Sequence, residues 1–287
     1  MKNSVFLYLF LFLSSFANAQ EASLIRYHSA YSPFPDTARM HGHLYNKQVF
    51  DFTNHYNDSS VLVYVPTGFS KNKPFELVVW FHGWNNNIDT AAKEFKLIEQ
   101  FEASGRNAIL IFPEGPKNAP DSYGGKMENP GVFAHFVNEL LGKLALNNII
   151  SNKQSKHINK YPITLAGHSG AYRVISKIIQ YYPVKELLLF DALYGGNEAY
   201  LAWLAASKKH RFVAIYTKDG GTFQNTQYIK NYMQDSLHLK PVSMNENEVD
   251  GNTLKHQRNL FIYSNKGHNE VIANQNNWQQ FLANRLK

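Results

Sequence analysis

Six stretches of this chain are short, unbroken runs of large apolar residues: VLVYV from Val61, ELVVWF from Glu76, AILIF from Ala108, ITLAG from Ile163, ELLLF from Glu186 and FVAIY from Phe212. A strand with one wet face alternates apolar and polar residues; a run with no alternation belongs to a strand covered on both sides. Between the runs lie stretches with helical spacing of their apolar residues, such as VFAHFVNELLGKLAL from Val132 and GAYRVISKIIQYY from Gly170. DTAAKEFKLIEQFEASG reads as another helix, with Asp89 or Thr90 as N-cap and Gly105 as its stop. Strands that alternate with helices and are buried on both faces imply a mostly parallel central sheet flanked by helices, a three-layer α/β domain. NLFIYS from Asn259 supplies a further strand, and NQNNWQQFLANRL a closing helix. With 287 residues, 44% of them hydrophobic, the chain can bury one large core of this kind.

Three segments stand outside the alternation. Residues 20–53 are rich in Tyr, His, Pro and Phe and are expected to cover one edge of the domain. The polar stretch from Lys240 to Arg258 reads as a surface excursion; it carries too few apolar residues for an interfacial lid. The first residues read as a secretory signal: Met1-Lys2-Asn3, the apolar run VFLYLFLFLSSF, then Ala17-Asn18-Ala19 as a cleavage site, which would leave Gln20 at the mature start of a single domain, 20–287. The apolar run is too short to span a bilayer, so no stable membrane insertion is expected after its removal.

Composition excludes several chemistries. The chain has no cysteine, which removes thiol nucleophiles, disulfides and cysteine metal sites. Its formal net charge of +7 comes from dispersed Lys and Arg without interleaved aromatics, so no nucleic-acid partner is expected, while attraction to anionic material stays open. His41-Gly42-His43 lacks a third ligand, and neither metal nor organic cofactor is expected.

In parallel sheets, ligands bind beyond the carboxyl ends of the strands. Of the groups placed there, one stands out: Gly167-His168-Ser169-Gly170-Ala171, at the junction of a strand and a helix. A tight strand–turn–helix corner projects a serine hydroxyl, and small residues two positions before and after it relieve the crowding. Here the last small residue is alanine. A serine so placed still needs a base, an acid to orient that base, and donors for an oxyanion.

FHGW at Phe81–Trp84, LAGHSGA at Leu165–Ala171, an acid after a later strand and Gly267-His268 near the C-terminus together resemble the α/β-hydrolase family, in particular secreted serine esterases and lipases. The resemblance spans nearly the whole mature chain. It implies the α/β-hydrolase fold and the order nucleophile, acid, histidine. Ser169 is then the nucleophile and His268 the base. The acid is one of two: Asp219, in a Lys-Asp-Gly-Gly turn that is also an ordinary turn sequence, or Asp191, favoured because a carboxylate inside LLLFDALYG needs a buried partner. The oxyanion donors are the amides of Gly170 and Trp84, with Gly83 letting the backbone approach. The implied activity is hydrolysis of a small-molecule carboxylic ester through an acyl-enzyme. A peptidase or amidase with the same residues, and a non-catalytic binding protein on the same fold, are the alternatives.

Overall fold

The structure is a computed structural model that describes residues 21–284; the expected signal segment, 1–19, lies outside the described residues. Eleven strands occur among them: β1 (Ser23–His28), β2 (His43–Tyr45), β3 (Gln48–Phe50), β4 (Ser60–Val65), β5 (Glu76–Phe81), β6 (Ala108–Pro113), β7 (Ile163–His168), β8 (Glu186–Phe190), β9 (Arg211–Thr217), β10 (Val242–Asn245) and β11 (Asn259–Ser264). Nine of them form one sheet in the order β1-β4-β6-β5-β7-β8-β9-β11-β10, while β2 and β3 pair as a separate hairpin. Within the sheet, β4 runs against its neighbours β1 and β6, and every pairing from β6 to β10 is parallel.

The unbroken apolar runs do what their pattern demands. All residues of β4, β5, β6, β7, β8 and β9 are buried. Alternate residues face two apolar layers. Val79, Leu165 and Leu189 join one, under the helices Val132–Leu146 and Tyr172–Ile178. Val78, Trp80, Ala166 and Phe190 join the other, under Ile88–Glu94, Leu97–Ala103 and Asn277–Ala283. No helix among the described residues is long and apolar enough to cross a membrane.

Three expectations need correction or completion. The stretch from Asp89 to Gly105 is two helices rather than one: Lys96 sits at φ +50° between them, and the N-cap is Asn87, whose side chain accepts from the Thr90 amide, ahead of the expected Asp89 or Thr90. The excursion at 240–258 is part of the framework. It supplies β10, the parallel edge strand, and the helix Gly251–His256, and Leu254 is fully buried. An edge strand with one wet face and a short helix carry few apolar residues, which is why their composition read as surface. Of the segment 20–53, the described part from 21 on covers an edge as expected, through β1 on β4, and adds the β2–β3 hairpin.

The order β6-β5-β7 has the functional consequence. Chain direction across the sheet reverses at β5, so the connections leaving β5 and β7 diverge to opposite faces. That opens a crevice at the carboxyl ends of these two adjacent strands. His82-Gly83-Trp84 follows β5 and Ser169 follows β7.

Candidate active site

Ser169 begins the helical segment immediately after β7, with φ +54°. A left-handed conformation at a non-glycine residue costs roughly 1–2 kcal/mol and is held only where packing enforces it. Here the enforcement is visible. A Cβ on Gly167 would lie 2.6 Å from the Ala171 Cβ and 3.1 Å from the Phe81 carbonyl oxygen, so the corner closes only around glycine. A Cβ on Gly83 would lie 2.6 Å from the Ser169 Cβ and 3.2 Å from its Oγ. The loop after β5 therefore passes against the serine with no room for a side chain.

His268 follows β11 and turns its ring back over the sheet. Its Nδ1–H donates to Asp191 Oδ2 at 2.6 Å. Asp191 is fully buried and, like Ser169, left-handed, at φ +45°. Its carboxylate also accepts from the Thr217 amide at 3.1 Å, from Thr217 Oγ1 at 2.8 Å and from Thr222 Oγ1. Burial pushes the Asp191 carboxyl up, but the hydrogen bonds from His268, Thr222 and Thr217 outweigh it and hold the group below the usual carboxylate value.

The second candidate acid is placed elsewhere. Asp219 is exposed, and its side chain makes no hydrogen bond or ion pair among the described residues. Its loop nevertheless belongs to the site. The turn 217–222 wraps Asp191 so closely that a Cβ on Gly220 would collide with Asp191 Oδ2. The Gly220 amide donates to Thr217 Oγ1 at 2.8 Å, and that hydroxyl donates in turn to Asp191.

Ser169, Gly170, Trp84 and His268 line one cavity of about 520 Å3, with Tyr172, Tyr194 and Ser122. The backbone amides of Trp84 and Gly170 meet no protein acceptor among the described residues. The Trp84 ring covers Gly170: a Cβ there would be 2.5 Å from its Cδ1, and the indole N–H donates to Ser122 Oγ at 2.7 Å. With Nδ1–H committed to Asp191, a neutral His268 carries its lone pair on Nε2. That tautomer is able to take a hydroxyl proton and return it to a leaving group.

Several residues of the site escaped the sequence reading. His168, the middle residue before the serine, is buried; burial and the neighbouring His268 push its imidazole down to about 3, so it stays neutral. Its Nε2–H donates to the His268 carbonyl at 3.0 Å, and the two rings lie 4.4 Å apart. Tyr194 donates to the Gly220 carbonyl and stands 3.5 Å from His268 Nδ1; burial and Asp191 raise its phenol, so it remains protonated. Below the β5 loop, buried His82 faces the Gly83 carbonyl with Nδ1 at 2.7 Å and meets Glu114 and the Gly115 amide with Nε2 at 2.9 and 3.1 Å, which braces the turn carrying Trp84. His82 and Glu114 directly follow β5 and β6, and their pairing depends on a strand order that the sequence does not spell out.

No family model matches the sequence, and no curated protein matches it. Solved structures do resemble it over nearly its whole length. A ferulic acid esterase superposes with a TM-score of 0.54 at 9% identity, covering 91% of this chain and 99% of that one. A feruloyl esterase module from Clostridium thermocellum gives 0.55 at 11% identity over 93% and 90%. A fluorophosphonate-binding serine hydrolase of Staphylococcus aureus gives 0.52 at 11% identity over 92% and 100%. This chain has the α/β-hydrolase fold. On that fold, Ser169 occupies the corner after a central strand, and the acid–histidine pair comes from the loops of β8 and β11.

Proposed function

We propose that the protein is a serine hydrolase that cleaves carboxylic esters. One observation carries the reading: a buried carboxylate grips His268 through Nδ1 at 2.6 Å, at the wall of the same cavity into which a strained corner presents Ser169. Ser169 Oγ attacks the acyl carbon as His268 Nε2 takes its proton. The oxyanion is received by the Gly170 and Trp84 amides, each such donor being worth about 3 kcal/mol of barrier. The imidazolium, stabilised by Asp191, protonates the departing alcohol, and water repeats the sequence on the acyl-enzyme. Asp191 is the acid of this reading; Asp219 has no part in it.

A fluorophosphonate probe tests the assignment. Mature protein should be labelled, and Ser169→Ala should abolish the label; label retained by the variant sinks the proposal. p-Nitrophenyl esters set against aminoacyl amides distinguish an esterase from an amidase. We also propose export, on the strength of the first 19 residues. N-terminal sequencing of the protein from the cell exterior should begin at Gln20, and an intact Met1 would overturn it.

A further inference from the structure

The sheet has a second large concavity, at the end remote from Ser169. It opens across the amino ends of β5, β7 and β8 and encloses about 990 Å3, against about 520 Å3 beside the serine. Five lysines line it: Lys71, Lys73, Lys160, Lys185 and Lys255. The acid among its lining residues is Glu76, whose buried carboxylate is engaged by Arg106 and, at 3.2 Å, by Lys185. Lys71 reaches the Asn148 carbonyl at 3.3 Å. Lys73, Lys160 and Lys255 form no ion pair among the described residues.

The floor does not cancel this charge. Arg106 and Arg211 are buried there beside Glu76 and Glu186, and Lys185 joins them. Among the described residues the two buried arginines balance the two carboxylates, so the floor leaves the charge of the lysines above it undiminished. Cations gathered around one concavity repel each other and focus potential into it; the arrangement favours an anionic occupant.

The chemistry of the lining narrows the occupant. Lysine ammoniums on flexible stems act as point charges, whereas planar bidentate capture of a single phosphate favours arginine. The cleft is wide and its cations are spread along it, which suits charges repeated along a chain. The aromatics in the lining, Phe75 and Tyr161, are stacked on each other at 4.5 Å and buried, so no open ring is offered to a nucleobase. The side-chain amide of Asn72 in the wall can both donate to and accept from hydroxyl groups. We infer that this cleft binds a linear polymer of carboxylate-bearing sugars, an acidic polysaccharide, at a docking site separate from the cavity of Ser169. Such a site would stand whether or not Ser169 is a nucleophile.

Affinity electrophoresis of the mature protein through gels containing polygalacturonate tests it, with neutral dextran and duplex DNA in parallel gels. Retardation by polygalacturonate, fading as salt rises, is expected. The triple variant Lys73→Glu, Lys160→Glu, Lys255→Glu should bind at least about tenfold more weakly, with an unchanged circular dichroism spectrum. Should the glutamates unfold the protein, the corresponding triple glutamine variant serves, with a smaller loss in the same direction. Absence of retardation at low salt, equal retardation of wild type and folded variant, or tighter binding to DNA than to polygalacturonate would each overturn the inference.

Discussion

Replacing Asp191 by asparagine changes one atom, and the surrounding donors dictate how the new side chain must sit. The Thr217 backbone amide can only donate, and it points at Oδ1. In Asp191→Asn the side-chain oxygen must therefore occupy the Oδ1 position, and the NH2 group the Oδ2 position. Thr217 Oγ1 tolerates this by turning acceptor. His268 Nδ1 does not: an N–H would face an N–H at the present 2.6 Å. The ring relieves the conflict by carrying its proton on Nε2, which leaves no lone pair for the Ser169 proton. Loss of the imidazolium's counter-charge adds to this. On the proposed mechanism kcat for a p-nitrophenyl ester should fall by about 10⁴, as expected when a triad histidine is held in the wrong tautomer, with KM little altered. Asp219→Asn, at an exposed residue without a side-chain partner among the described residues, should stay within about twofold of wild type. The readout is steady-state kinetics on both variants, with nitrogen NMR of His268 to report the tautomer. If Asp191→Asn keeps more than about a tenth of wild-type turnover, or Asp219→Asn loses more than Asp191→Asn, the reasoning fails.

Other outcomes follow from the same geometry. Gly83→Ala should drive a methyl group to 2.6 Å from the Ser169 Cβ and lower kcat by about 10² while the protein stays folded, measured by ester turnover and circular dichroism. Ser169→Gly should remove the left-handed strain and raise stability by about 1 kcal/mol relative to Ser169→Ala, read by urea denaturation. His168 has a folded-state value of about 3 against 6.5 unfolded, so the unfolded chain binds the extra proton between these values. Stability should therefore fall as pH drops through that window, and His168→Gln should flatten the decline in its upper half, followed by denaturation at a series of pH values. Buried Glu186 is held near 2 by Arg106 and Arg211 against the cost of burial. Its contribution is present above about 4.5 and lost towards 2, and Glu186→Gln should destabilise by about 3 kcal/mol near neutrality, read by the same denaturation series.

The central strands and the Ser169 corner were readable because each depends on a local pattern: an unbroken apolar run, or small residues crowding one turn. The choice between Asp191 and Asp219 was harder for a physical reason. The Lys218-Asp219-Gly220-Gly221 turn is bound to Asp191 through Thr217 and Thr222, so both aspartates belong to one cluster, and Gly220 is there to let the backbone close on the carboxylate. Asp191 is fully buried with His268 Nδ1 against its carboxylate, while Asp219 is exposed. The buried charges Glu76, Arg106, Glu186 and Arg211 were not legible. Glu76, Glu186 and Arg211 open β5, β8 and β9 and Arg106 lies just ahead of β6, positions where a charged residue ordinarily reaches solvent; only the lateral order β6-β5-β7-β8-β9 turns them towards one another. His168 was hidden for a similar reason, since its partner is a backbone carbonyl 100 positions away.

That last contact has a wider consequence. β7 and β11 are separated in the sheet by β8 and β9, and a twisted sheet flexes over such a span. Because the ring next to Ser169 donates to the backbone carbonyl of His268, the corner after β7 and the loop after β11 are tied by a strut one side chain long. The spacing of Ser169 and His268 thereby depends on one local contact rather than on the shape of the whole sheet.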